Sequence, residues 1–286
     1  MPDAGAWGFT DDRGVEVTSA RRPERVVAYV RAGAALRDLG VTPAAVYGSG
    51  HDGSVLDPVK AGDLEATGVA YLGPGRTLDE EILRALRPDL LVDVTYDGKR
   101  AYALDEAVAD RLGVPTAVLS VGGEQSLAAI VGRFGELGAA LRDADSATPV
   151  ASAATGPGVV EVSEAALASA AGSTSASVLA LSGAGPDQVH LARPRAWPEL
   201  ARLLDLGVRL LDPGPGPGAN WLTTEWEYAA GLAPDLILFD SRSNAVRPEV
   251  AVSAGDARVA PWNPETPPSP VAYGRFFRDV AAALPA

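Results

Sequence analysis

Thr77–Asp93 reads TLDEEILRALRPDLLVD, and Thr223–Asp240 reads TTEWEYAAGLAPDLILFD. Each opens with an acidic, helix-like run and breaks at a Pro-Asp pair, Pro88-Asp89 and Pro234-Asp235. Each then continues into a short apolar run, Leu90–Val94 and Leu236–Phe239. A helix that passes through proline into a strand apolar on both faces is the repeating unit of a covered parallel sheet. Aligned on the two prolines, the stretches share Thr, Glu (Glu81 and Glu227), Leu, Pro, Asp and Leu. A second echo, DLGV at Asp38–Val41 and Asp205–Val208, ends a helix before a strand in each half. The chain therefore reads as two α/β lobes.

Working outward, Arg25–Tyr29, Ala44–Tyr47, Val69–Leu72 and Thr116–Ser120 are further apolar strands of the first half. They alternate with helices over Ala32–Leu39, Leu78–Leu86 and Leu104–Leu112, the first and last stopping at Gly40 and Gly113. In the second half, strands are expected at Val178–Leu181, Gln188–Leu191 and Val208–Leu211. Helices are expected at Glu164–Ala171 with Ser163 as N-cap, Pro198–Leu206, Glu225–Leu232 and Ala272–Leu284. Between the halves lies the longest helical pattern, Glu124–Arg142, with Leu127, Ile130, Val131, Phe134, Leu137, Gly138 and Leu141 on one stripe. It would run about 28 Å at 1.5 Å per residue. The expected architecture is an N-terminal lobe 1–123, a single bridging helix 124–143 and a C-terminal lobe 144–286, both lobes Rossmann-like, with a ligand cleft between them.

Composition removes several function classes. The 286 residues are 47% hydrophobic, enough for a sizeable core, and Gly and Pro stay below the roughly 25–30% of low-complexity chains. The net charge of −13 argues against a nucleic-acid binder, which needs a basic face. Without cysteine there can be no disulfide, thiolate metal site, iron–sulfur cluster or cysteine nucleophile. Two histidines, His51 and His190, cannot make a three-histidine metal site, so no metal or cofactor of the protein's own is expected. No GxSxG elbow, HExxH or Walker A occurs, so no catalytic residues are assigned. Gly48–Gly53 (GSGHDG) has GxGxxG spacing, but Asp57-Pro58 follows where a dinucleotide loop must open a helix. A mobile, glycine-rich cleft loop is expected there instead. His190, inside Val189-His190-Leu191, reads as structural.

In open α/β sheets ligands bind beyond the C-terminal ends of the strands. Those ends carry Tyr29, Arg31, Tyr47, His51, Tyr96 and Lys99 in the first lobe. In the second they carry Arg193, Arg195, Trp197, Trp221, Ser241 and Arg242. Aromatic faces and planar guanidinium groups suit a rigid, partly anionic organic ligand.

The ordered set of segments resembles the helical-backbone class of substrate-binding proteins of ABC importers, which handle ferric siderophores, cobalamin and haem. The resemblance rests on Phe9–Gly14 (FTDDRG), Arg22–Tyr29 (RPERVVAY), Leu64–Leu72, Glu81 with Pro88-Asp89-Leu90, Leu112–Leu119, Glu124–Arg142 and Glu227 with Pro234-Asp235. It implies a binding protein rather than an enzyme, a ferric siderophore as ligand, and an ABC permease as partner. Cobalamin or haem on the same fold is the alternative, and a cytosolic α/β enzyme a more distant one. The resemblance further implies that a Glu on each lobe docks on the permease. Glu81 and Glu227 stand seven residues before the two prolines. Capping boxes Thr77-x-x-Glu80 and Thr224-x-x-Glu227 are the competing reading, which leaves Glu80 or Glu81 open in the first lobe. The chain departs from the family in lacking a signal and lipid-anchor motif, and in a Pro/Gly-rich break at Pro149–Gly158. An extracytoplasmic, lipid-anchored location is expected if a leader has been removed, and a cytoplasmic one if the chain is native.

Overall fold

The computed structural model describes residues 6–122, 125–142, 158–246 and 257–285. The chain divides into two compact units, one of Met1–Gly156 with Glu265–Ala272, the other of Pro157–Pro264 with Tyr273–Ala286. The short segment Glu265–Ala272 thus falls in the first unit, although its place in the sequence had put it in the C-terminal lobe.

The first unit comprises β1 (Trp7–Thr10), β2 (Glu16–Ser19), β3 (Val26–Tyr29), α1 (Val30–Asp38), β4 (Ala45–Gly48), α2 (Pro58–Ala61), β5 (Ala70–Pro74), α3 (Glu80–Leu86), β6 (Leu90–Thr95), α4 (Glu106–Leu112), β7 (Thr116–Ser120) and α5 (Leu127–Leu141). Its five-stranded sheet has the order β5-β4-β3-β6-β7 and is parallel throughout. Every residue of β3, β4 and β6 is buried, which is why they appear in the sequence as unbroken apolar runs. The strand order reverses between β3 and β6, the point where an open sheet leaves a crevice at its C-terminal edge.

The hairpin β1–β2 was not expected from the sequence. Its loop explains FTDDRG: the Asp11 carboxylate accepts from the backbone amides of Arg13 (2.9 Å), Val15 (3.0 Å) and, in β7, Val118 (3.1 Å). Helix α5 is capped by Ser126 and is shorter than the expected Glu124–Arg142. Its stripe of Ile130, Phe134, Leu137 and Leu141 packs in the core of the first unit, and the Trp7 indole donates to the Ala140 carbonyl at 2.9 Å. The residues that lead from it toward the second unit, 143–157, lie outside the described residues, as do Glu124 and most of the Pro149–Gly158 break.

The second unit comprises α6 (Val159–Gly172), β8 (Ser177–Gly183), β9 (Gln188–Ala192), α7 (Pro198–Asp205), β10 (Arg209–Leu210), β11 (Trp221–Glu225), α8 (Trp226–Gly231), β12 (Leu236–Asp240) and β13 (Arg258–Trp262). Helix α9 (Pro270–Ala283) belongs to it from Tyr273 onward. Its sheet has the order β11-β9-β8-β12-β13, with β10 beside the start of β8. This sheet is mixed: β9 runs antiparallel to both of its neighbours, β8 and β11, while β8, β12 and β13 are parallel. The cause is the four-residue link Ala184–Asp187, too short for a crossover and able to join only antiparallel strands. Ser163 is not an N-cap, because α6 begins four residues earlier and the Ser163 hydroxyl donates back to the Val159 carbonyl at 2.7 Å.

The internal echo is a structural one. Arg87 (φ 48°) and Ala233 (φ 46°), each just before the Pro-Asp pair, are the non-glycine residues with left-handed backbone among those described. Asp89 accepts from the Arg25 amide at 2.7 Å and Asp235 from the Ser177 amide at 2.7 Å, so each carboxylate pins the start of the neighbouring strand. The DLGV pair also matches. Gly40 (φ 86°) and Gly207 (φ 90°) follow α1 and α7, and Val41 and Val208 donate back to Leu36 and Leu203 at 2.8 and 3.0 Å. Both are Schellman stops, which need the left-handed glycine.

Candidate functional site

At the crevice of the first sheet four tyrosines gather. Tyr29 lies 6.3 Å from Tyr47 and 5.7 Å from Tyr102, and Tyr96 meets Tyr102 edge-on at 4.9 Å between centroids. Tyr29, Tyr47 and Arg31, all expected to face a ligand, are buried. Their polar ends are occupied from within. The Tyr29 hydroxyl donates to Glu265. Arg31 donates through Nε to the Thr266 carbonyl (3.1 Å) and through Nη1 to the Tyr96 hydroxyl (3.0 Å). Glu265–Ser269 is a buried strap laid on the crevice, and Ser269 bonds Asp38 at its far end.

Beneath the strap lies an ion cluster that sequence reasoning missed. Lys60 is fully buried, and its Nζ sits 2.7 Å from Asp52 and 3.0 Å from Glu265. Asp52 also accepts from the Ser49 amide at 2.6 Å. The GSGHDG loop is therefore tied down at Asp52, and not the free loop expected. Gly48 is required there, since a Cβ would come within 2.3 Å of the Tyr71 hydroxyl. The available signal was that Lys60 is one of two lysines in a chain that otherwise uses arginine.

Burial sets the protonation of this cluster. It raises Tyr29 well above the ordinary tyrosine range, and the charge of Glu265 adds to the effect. Tyr47 is raised by burial and by Asp93, to which it donates at 3.0 Å. Burial lifts Asp93 itself to about 6, against the opposing pull of the Val94 and Leu104 amides and Tyr47. Tyr96 is raised by burial of its hydroxyl although Arg31 pulls it down. Tyr29, Tyr47 and Tyr96 therefore keep neutral hydroxyls near neutral pH. Tyr96 and Tyr102 are half-buried, and His51, Lys99 and Arg100 are exposed.

In the second unit, three tryptophans cluster at the sheet end, Trp197 edge-on to Trp221 at 4.8 Å and to Trp262 at 5.6 Å, and Trp221 tilted against Trp262 at 5.8 Å. Trp197 and Trp262 are buried, their indoles donating to the Asn220 carbonyl (3.1 Å) and to Glu199 (3.3 Å). Trp221 is half-buried and completes the set on the outer side. His190 faces Thr223 across the strands at 2.8 Å and lies 6.0 Å from Trp221, and desolvation lowers its pKa.

The arginines expected here also have internal partners. Arg193 donates to the carbonyls of Gly214 (2.7 Å), Gly216 (3.0 Å) and Gly218 (3.0 Å), and so organises the PGPGPG loop. Arg242 pairs with buried Asp240, which also accepts from Ser182 at 2.7 Å. Arg195 is exposed. Of the expected ligand residues, His51 and Arg195 are exposed, Tyr96, Arg193, Trp221 and Arg242 are half-buried, and Tyr29, Arg31, Tyr47 and Trp197 are buried.

The two glutamates at the echo are exposed, Glu81 in the first turn of α3 and Glu227 in that of α8. The capping boxes do not form. Asp79 caps α3, and α8 starts without a side-chain cap because Thr224 is in β11. Glu80 is paired with Arg111, whose Nε donates to it at 2.7 Å, which leaves Glu81 as the open carboxylate of the pair.

No protein-family model and no curated protein matches the chain. Solved structures do. DesE, a ferric-siderophore receptor protein from Streptomyces coelicolor, shares 26% identity with a TM-score of 0.83, over 97% of both chains. A periplasmic solute binding protein from Mycobacterium smegmatis is 16% identical with a TM-score of 0.64, over 99% of this chain and 98% of that one. A periplasmic heme binding protein from Pseudomonas aeruginosa is 19% identical with a TM-score of 0.60, over 91% and 92%. The last two likenesses are of fold alone.

Proposed function

We propose that this chain, which has the fold of the helical-backbone substrate-binding proteins of ABC importers, captures a ferric siderophore outside the cytoplasmic membrane and delivers it to a membrane permease. The likeness to a ferric-siderophore receptor over nearly the whole of both chains carries the reading. The chemistry of the strand ends agrees with it. In this reading the iron arrives already coordinated by its carrier. A ferric siderophore fills that coordination with its own hard oxygens.

The residues that would meet the ligand are the half-buried rings Tyr96, Tyr102 and Trp221 with exposed His51 and Arg195. Rings braced on buried neighbours offer wide contact area with few rotamers left to freeze. Buried Tyr29, Arg31, Lys60 and Glu265 fix the ring positions from behind. The protein supplies no redox step and no group transfer in this reading.

Tryptophan fluorescence tests it. Ferric tris-hydroxamate, tris-catecholate and citrate complexes are titrated into the protein, and at least one should quench saturably, through Trp221 and its clustered neighbours. Trp221→Phe should reduce that quenching. If none quenches while haem or cobalamin shifts its visible spectrum on addition, the ligand is one of those. If nothing binds, the transport reading falls.

A further inference from the structure

We infer that Ile82 and Tyr228 are permease-contact residues, each forming with the glutamate before it a mixed acidic and apolar docking point, one on each unit. The inference rests on the proposed transport function. Aligned on Pro88 and Pro234, Ile82 and Tyr228 occupy the same position, directly after Glu81 and Glu227. The alignment is that of the backbone, through the left-handed Arg87 and Ala233 and the strand-pinning Asp89 and Asp235.

Among the described residues seven large hydrophobic side chains are exposed, and five are valines. The other two are Ile82 (48% exposed) and Tyr228 (46% exposed). Single exposed apolar residues are ordinary. Here the two largest stand at the two equivalent places of a duplicated element, beside the two open carboxylates. The Tyr228 hydroxyl is already bonded to the Pro213 carbonyl (2.9 Å), so what remains to offer a partner is ring surface.

The pairing has a physical reason. An ion pair in open water contributes little, because solvent screens it and two long side chains must be ordered. An apolar neighbour that seals against the partner excludes water and strengthens the same pair. The matching surface is therefore a basic side chain in an apolar socket, offered twice. A chain of net charge −13 selects against acidic partners at long range.

The test uses the full chain, in cells of the source strain with the native gene replaced. The probe is whichever ferric complex quenches the wild-type protein. Ile82→Gln and Tyr228→Gln should each lower the rate of iron-55 uptake about fivefold to tenfold, the double variant further. The dissociation constant from fluorescence should be unchanged in both, which also shows that they fold. Val15→Gln and Val259→Gln, equally exposed valines elsewhere, should transport normally. Normal uptake by the Ile82→Gln/Tyr228→Gln variant overturns the inference. If Glu81→Arg/Glu227→Arg then still abolishes uptake, the transport reading stands without it. If the wild-type chain restores no uptake, the transport reading itself is refuted.

Discussion

Replacing Lys60 by Met should unfold the first unit far more readily than the loss of one side chain suggests. The ammonium is fully buried between Asp52 at 2.7 Å and Glu265 at 3.0 Å, both carboxylates nearly inaccessible. At an effective dielectric near 20, each contact is worth roughly 6 kcal/mol of gross attraction. Desolvation of the three charges cancels most of it. The variant keeps the cost and loses the attraction, since methionine fills the space and leaves two carboxylates uncompensated. Breaking one buried pair costs about 3–5 kcal/mol, and two stranded carboxylates place Lys60→Met at the upper end. That is a large part of a typical total stability of about 5–15 kcal/mol. Urea unfolding followed by near-UV tyrosine circular dichroism is the assay, because Tyr29, Tyr47, Tyr71, Tyr96 and Tyr102 all belong to the first unit. The triple variant Lys60→Met/Asp52→Asn/Glu265→Gln should recover most of the loss. A Lys60→Met protein within about 1 kcal/mol of wild type, or a triple variant no more stable than Lys60→Met, would refute the reasoning.

Asp93, raised to about 6 by burial, binds a proton in the folded state that an unfolded aspartate near 3.9 has already released, so stability should fall by about 3 kcal/mol as pH rises from 4 to 6 and then level off. Asp93→Asn should remove that slope in urea titrations and cost about 1–3 kcal/mol, because an amide NH2 must face the donors Val94, Leu104 or Tyr47. Arg193→Ala should release three glycine carbonyls, expose the 213–218 loop to limited proteolysis, and leave fluorescence quenching by the ferric ligand intact. Ala233→Gly should raise the unfolding free energy in urea titrations by about 0.5–1 kcal/mol, since its φ of 46° strains any residue with a Cβ; a loss of stability would count against the shared turn.

The sheets were legible where burial is two-sided. Strands β3, β4, β6, β8 and β12 carry apolar residues on both faces, so they stand out from their surroundings without any alignment. The two edge strands of the second sheet did not stand out. Residues Trp221–Glu225 (WLTTE) of β11 alternate and merge into a helix start, and Arg258–Trp262 (RVAPW) of β13 holds Pro261, which only an edge position tolerates. The strap was hidden for another reason. Glu265 reaches Tyr29 across 236 positions of sequence, and nothing local to ETPPS marks it as the cover of a crevice. Strand order points to one end of each sheet, but exposure at that end depends on partners that order cannot supply.

The arginines show how far that limit reaches. The chain has 24 basic and 37 acidic residues, so a guanidinium that becomes buried generally finds a carboxylate, or failing that a row of carbonyls. Arg242 found Asp240, Arg202 found Glu164, and Arg13 found Asp11, while Arg31 and Arg193 took backbone oxygens. An arginine near a strand end is therefore weak grounds for an anionic ligand when the protein itself is strongly acidic. The aromatic groups behave differently, because a ring can brace its inner neighbours on one face and still offer the other. Tyr96 over Tyr102 and Trp221 over Trp197 are built in that way, each half-buried against a second ring. On this scaffold the rings hold the surface on which a ligand could rest, and the charges beneath them hold the rings.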